Sequence, residues 1–271
     1  MTTETLDRSS PRTAFSRVRA LGTAEWLQFR RNKTILFMAT IFPVGIPLVL
    51  FSIGSRGAVE AANTIDIFVL YTLLFVQFYT VLSMVTTRRD ERVLKRLRTG
   101  EARDWEILGA ICIPGALLSI VFTIVIVPLL MIMGAPAPVN LIPLALAVVL
   151  GLILASALAF ATSGFTRNAE AAQLTSMPVI TVAILGLGAL RPMFGDSILA
   201  SMVNYTPFAA ISDLVQLGWA GATFSDSLAG AEAWSFAGVL EHSVQPLLII
   251  LGWTVLTVAV TRQYMRWDTH R

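Results

Sequence analysis

Six stretches of the chain are apolar for long enough to approach the span of a lipid bilayer, and no other feature restricts the fold as much. A helix needs about 20 predominantly apolar residues to cross the hydrocarbon core. The candidate spans are residues 35–53, 65–85, 107–133, 141–165, 171–190 and 244–260. Composition agrees: 55% of residues are hydrophobic and only 14% charged, with a mean hydropathy of +0.72. Soluble domains carry about 25% charged residues, and disordered chains need low hydrophobicity with high net charge. Both classes are excluded. The third run is longer than a span requires, which predicts a tilt or a break near Pro128. The first run begins only at Ile35, has full length and lacks a small-residue cleavage pattern, so it reads as a span and not as a signal peptide. The expected fold is a single all-α integral membrane domain over residues 1–271.

Basic residues orient the spans. With the N-terminus inside, eighteen of the twenty Lys and Arg residues fall in inner segments. They are Arg8, Arg12, Arg17, Arg19, Arg30, Arg31 and Lys33; Arg88, Arg89, Arg92, Lys95, Arg96, Arg98 and Arg103; Arg167; and Arg262, Arg266 and Arg271. Only Arg56 and Arg191 fall outside. This positive-inside bias predicts a multi-pass protein of the cytoplasmic membrane with both termini in the cytoplasm. The same placement explains the pI near 9.4 through lipid phosphates and topology, without nucleic acid. The predicted outer segment 191–243 holds Asp196, Asp213, Asp226, Glu232 and Glu241. Its apolar pieces 198–203 and 208–217 are too short to span and suggest a re-entrant helical hairpin. Trp219 and Trp234 suit an aromatic belt.

Residues 13–33 carry Phe15, Val18, Gly22, Trp26 and Phe29 on one helical stripe, with Glu25 interrupting the apolar side. The pattern predicts a basic amphipathic helix on the inner leaflet, close in character to an ordinary flanking helix with snorkelling arginines.

Several chemistries lack their residues. Cys112 stands alone, and His242 and His270 match no zinc spacing. A P-loop lysine follows glycine, but Lys33 follows Asn32 and Lys95 follows Leu94. ATP and magnesium, if used, belong to another chain. Ion-coupled carriers usually place ionisable groups at mid-membrane depth. Here Asp66 and Glu170 lie near span ends, and the mid-span polar residues are neutral: Gln77, Tyr79, Thr80 and Ser83, then Thr175, Ser176 and Thr181. No internal repeat is visible. Gly195-Asp196-Ser197-Ile198 matches the G-x-S-x pattern of rhomboid-type intramembrane proteases, with His242 as the candidate base. The alternative is a turn in which Asp196 or Ser197 caps a helix.

The loop 88–104 carries the most information. Val93, Leu94 and Leu97 form one apolar edge of a charged helix, Arg96 and Arg98 suit the negative end of its dipole, and Gly100 suits its C-cap. The order Arg89-Asp90-Glu91-Arg92-Val93-Leu94-Lys95-Arg96-Leu97-Arg98, followed by Trp105-Glu106-Ile107-Leu108-Gly109, resembles the cytoplasmic loop of type-2 permeases of ATP-binding-cassette exporters. That pattern runs R-E-x-G-T-L-K-R-L-R, then a small-polar-Pro turn, then W-x-x-L-L-G. Arg92 replaces its glycine, Val93 its threonine and Glu101 its proline. The resemblance extends to Pro43 in the first span, the inner loop 167–172, and an outer hairpin with turns at 188–192 and 204–207. The daunorubicin-type drug-resistance permeases look most similar.

The resemblance implies a cytoplasmic coupling helix at 89–98, seated on a separate ATPase subunit present in two copies. In it Leu94 and Leu97 would form the apolar anchor, and Arg89, Asp90, Glu91, Lys95 and Arg98 would set register. It implies a homodimer, or a dimer with a related permease, embedded in membrane lipid. The pathway would lie between the two permeases, lined by Phe75, Gln77, Phe78, Tyr79 and Thr80 of the second span and Thr175, Met177 and Thr181 of the fifth. A membrane scaffold that recruits a partner through the same loop is the alternative function.

Overall fold

The computed structural model describes residues 14–31, 33–98 and 103–265, and every regular element among them is helical. Helix α1 (Ala14–Arg31) precedes α2 (Lys33–Thr40) and α3 (Ile46–Ile53), which are joined by a π-helical turn at Ile41–Gly45. A second π-helical turn, Thr72–Phe78, joins α4 (Ala58–Tyr71) to α5 (Tyr79–Asp90). Then come α6 (Val93–Arg98), α7 (Asp104–Ile132), α8 (Leu141–Phe165), α9 (Ala172–Leu185), α10 (Ile198–Asn204), α11 (Pro207–Ala220), α12 (Phe224–Leu228) and α13 (Phe236–Tyr264).

Among the described residues, four helices are long and apolar enough to cross a membrane: Ala58–Asp90, α7, α8 and α13. Counting α10 and α11, bent by 72° at their junction, as one broken span gives five. The expected first and fifth spans are represented by the shorter apolar helices Ile41–Ile53 and α9. Pro43 and Pro47 each withdraw a backbone donor, and the π turn begins two residues before the first of them. Helix α9 stops at Leu185, not at 190, because Gly186 and Gly188 turn the chain. Its 14 residues reach only about 21 Å. The break expected near Pro128 is absent: α7 runs unbroken through Pro114 and Pro128 for 29 residues.

The core lies around the helix Ala58–Asp90, the most enclosed of the four. Its Phe68, Leu73, Leu74, Phe78 and Leu82 are fully buried against α7, α8 and α11. Close approach to α7 depends on Gly115, where a Cβ would lie 2.7 Å from the Val76 carbonyl oxygen. Exposed large apolar side chains on α7 and α13, such as Ile124, Ile132, Leu248 and Val255, are the outward complement of a lipid-facing surface.

Helix α11 is enclosed on almost every side by α4, α8 and α13. Trp219, expected in an aromatic belt, is among the largest fully buried side chains. Its helix packs inward rather than lying at a surface. Two polar contacts fix it. The backbone N–H groups of Val139 and Asn140 donate to the carbonyls of Trp219 and Gly218 at 3.2 and 2.9 Å. At the other end, Asp66 accepts from the Gly188 N–H at 3.0 Å and the Ser212 hydroxyl at 2.6 Å. Asp66 is therefore a buried tie between three elements, where its sequence position suggested only a span end. A Cβ at position 188 would lie 3.1 Å from Ser212 Oγ and 3.3 Å from Asp66 Oδ2, so glycine admits this approach. Asp66→Ala strands the buried Ser212 hydroxyl and leaves the Gly188 N–H with only Ser212 Oγ, at 2.9 Å, as acceptor, which costs about 2 kcal/mol. Thermal unfolding in detergent should show that loss, with Asp66→Asn, which retains an acceptor oxygen, losing less.

Candidate functional site

Two features converge on the end of the bundle that carries Arg88–Arg103: a cluster of interhelical ties and a groove above it. The long helix Ala58–Asp90 continues past its apolar part to Asp90. Successive residues on an α-helix project about 100° apart, so its last three side chains face three directions. Arg88 pairs with Glu25 of α1 at 2.5 Å. Arg89 is fully buried and donates to the carbonyls of Ser163 and Thr166 at 2.8 and 2.6 Å. These carbonyls lie at the C-terminal end of α8, where Ser163 O also accepts from the N–H of the capping residue Thr166 at 3.3 Å and the last carbonyls of a helix lack the usual i+4 donor. The guanidinium also meets the negative end of that helix dipole. Asp90 accepts from the Ala169 N–H at 3.1 Å, in the loop before α9. Burial pushes the Glu25 carboxyl above the usual glutamate range, and the Arg88 guanidinium pulls it partly back.

The loop beyond Asp90 differs from its expected form. A single helix over 89–98 is not formed. The long helix ends, Arg92 takes a left-handed conformation with φ of 58°, and α6 starts afresh at Val93. Left-handed backbone costs a side-chain-bearing residue about 1–2 kcal/mol. This is the position where the resembled loop carries glycine. Leu94, expected as an anchor on a partner, is fully buried in this chain's own core, and Leu97 packs partly against it. Arg89 is likewise committed inside the chain. The apolar edge of α6 thus secures the loop to α5 and α7. Asp90 and Glu91 stay exposed. The side chains of Lys95 and Arg98 lie outside the described residues, as do those of Phe15 and Phe29, Gly100 and Glu101, and Arg8, Arg12, Arg266 and Arg271. Gly22 of α1 packs against Ile113 of α7.

The groove has a volume of about 580 Å³ and is lined by Ala39, Phe42, Phe75, Tyr79, Thr80, Ser83, Gln173, Ser176, Met177 and Ile180. Four of the expected pathway residues, Phe75, Tyr79, Thr80 and Met177, meet here. Four do not. Gln77 turns to the opposite side and donates to Ser156 Oγ at 2.7 Å, and Phe78 is core. Thr175 hydrogen-bonds Thr166 at 2.8 Å, and Thr181 is exposed outside the lining. Phe42 and Ala39 of the first apolar run were missed. Their signal was Pro43, which marks the π turn beside them. The rings of Phe42 and Phe75 lie 6.0 Å apart, one in each π-helical turn. Both π segments border the groove, and π turns recur at functional sites.

No protease pair forms. Ser197 caps α10 by accepting from the Ala200 N–H at 3.2 Å. His242 contacts the Gly238 carbonyl at 2.8 Å and stacks on Trp234 at 3.6 Å. Among the described residues, no group of three or more His, Cys, Asp or Glu could hold a metal ion.

Replacing Arg92 by glycine removes the left-handed penalty, so Arg92→Gly should raise the unfolding temperature in detergent, a gain of about 1 kcal/mol. Replacing Arg88 by alanine strands the buried Glu25 carboxyl and should lower it, and the added change Glu25→Gln should recover most of the loss.

Comparison with curated proteins found no match. A family model described as "ABC-2 family transporter protein" matches residues 56–261, well over half of the chain, and includes the junction, the loop and the α5 and α9 walls of the groove. The chain therefore belongs to the ABC-2 transporter family, multi-pass membrane permeases of ABC transporters that partner an ABC ATPase subunit.

Proposed function

We propose that this chain exports an amphipathic compound, a drug or antibiotic, a lipid or a related molecule, across the cytoplasmic membrane. ATP and magnesium are bound by a separate ATPase subunit, two copies of which serve a dimer of this chain or a pair with a related permease. The daunorubicin-type resistance permeases are the relatives this reading favours. The basic end faces the cytoplasm, six apolar segments count as membrane-embedded, and α10–α11 form an outer re-entrant hairpin.

The observation that carries the reading is the groove. Its walls are aromatic and aliphatic, with Ser83, Thr80, Gln173 and Ser176 as sparse hydrogen-bonding groups. Apolar pockets with a few placed polar groups suit amphiphilic ligands, and the methionine adds an adaptable surface. The groove opens between elements that two copies would share, so Phe75, Tyr79, Thr80 and Met177 face the pathway. Below it, Asp90 and Glu91 meet the ATPase together with Lys95 and Arg98, and charge pairing sets the register of docking. Arg89, Leu94 and Leu97 hold the loop stiff from within rather than touching the partner. Movement imposed on α6 then reaches α1 through Arg88 and the α9 wall of the groove through Asp90.

Glu91→Arg tests this directly. Reconstituted with its ATPase, the variant should lose substrate-stimulated hydrolysis and export while its unfolding temperature stays unchanged. Full export with normal stimulation overturns the coupling role. A chain that binds the ATPase yet moves no compound in either form supports the scaffold function instead.

A further inference from the structure

At the end opposite the basic loops, a second cavity of about 590 Å³ lies between the hairpin α10–α11, the α12 segment and the start of α13. It is unrelated to the groove and shares none of its residues. Its size falls within the ~300–1,000 Å³ typical of ligand pockets.

The lining combines two kinds of group. Arg191 and Asp213 form a two-pronged ion pair, with Arg191 Nη1 donating to Asp213 Oδ2 at 3.2 Å and its Nη2 to Oδ1. Arg191 also reaches Asn204 Oδ1 at 3.4 Å. Gln245 adds an amide carrying both a donor and an acceptor. Against these stand the aromatic side chains of Tyr205 and Trp234. Trp234 is braced from one side by the His242 ring at 3.6 Å and an interplanar angle of 14°. Its backbone N–H is fixed to the Gly221 carbonyl at 2.9 Å.

This arrangement discriminates between ligand classes. An anionic ligand would have to displace Asp213 from Arg191, because the pair already cancels the cation. A purely apolar ligand would leave the polar groups dry. A neutral polyhydroxylated ring meets both demands. Each hydroxyl both donates and accepts, so it can serve guanidinium, carboxylate and amide alike. Its C–H face suits the negative face of an aromatic ring. We propose that this cavity binds a neutral pyranose, free or as the glycosyl part of a larger molecule. Only its placement outside the cell rests on the orientation given above; the site itself stands whether or not the chain exports anything.

Saturation-transfer NMR on the full chain tests this, in nanodiscs or a zwitterionic detergent free of sugar headgroups. The probes are methyl β-glucopyranoside and maltose, with inorganic phosphate and octanoate as the competing classes. The expected result is saturable transfer to the ring protons of at least one sugar. Affinity should weaken at least about tenfold in Trp234→Ala, and weaken as well in Gln245→Ala, with unfolding temperatures held. Absence of saturable transfer to both sugars overturns the proposal. So does equal affinity in the two variants, or displacement of the sugar by phosphate or octanoate at lower concentration. None of these outcomes bears on coupling to ATP.

Discussion

Arg89 has no contact with solvent, and its guanidinium donates to the carbonyls that end α8. A helix terminus in a membrane protein leaves carbonyls without partners, and lipid supplies no donor. One arginine from a neighbouring helix meets that requirement, and in doing so joins the helix Ala58–Asp90 to α8. Helical geometry then turns the flanking residues elsewhere. Arg88 is directed to α1 and Asp90 to the loop before α9. Three consecutive residues therefore set the spacing of three elements at one end of the bundle, and the α5 and α9 walls of the groove rise from that end.

Much of this order was legible before any coordinates. Long apolar runs marked the four long helices, and short ones marked α10 and α11 with Pro207 at their junction. A helix forms at Ala14–Arg31, within the stretch 13–33 whose stripe predicted one. The boundaries of the first and fifth runs were not legible, because hydropathy sums over a window and does not register a π turn or a glycine stop. Arg89 and Leu94 failed for a different reason. A charged loop reads as solvated, and whether one arginine is buried depends on carbonyls 74 residues away. Trp219 failed likewise, since an apolar helix enclosed by three others and one lying at an interface have similar compositions. Position 92 was legible in one respect: arginine stands where the resembled loop carries glycine, and there the backbone turns left-handed.

The groove owes its shape to irregular backbone. Each π-helical turn widens its helix by one residue and rotates the side chains that follow. In the second span the expected lining falls into two sets. Phe75, Tyr79 and Thr80 face the groove, whereas Gln77 and Phe78 face α7, α8 and the core. A regular helix would also turn Gln77 about 200° from Phe75, but it would carry Thr80 about 140° away; the wider π turn brings Thr80 round to the Phe75 side. The Thr80 hydroxyl donates to the Phe75 carbonyl at 3.2 Å, five residues back, within the altered geometry. Both irregular segments border the groove, and the buried Arg89 tie lies at the end of the bundle from which its α5 and α9 walls rise.

The central claim is that the loop, the Arg88–Asp90 junction and the groove form one mechanical path driven by ATP. Two spin-label distances test it in the reconstituted complex, with Cys112 replaced by alanine. One pair, at Arg92 and Glu170, brackets the junction; the other, at Phe42 and Met177, brackets the groove. On trapping ATP, the junction distance should hold while the groove distance shifts. A groove distance that stays fixed, or a junction that separates while the groove does not move, would contradict the account.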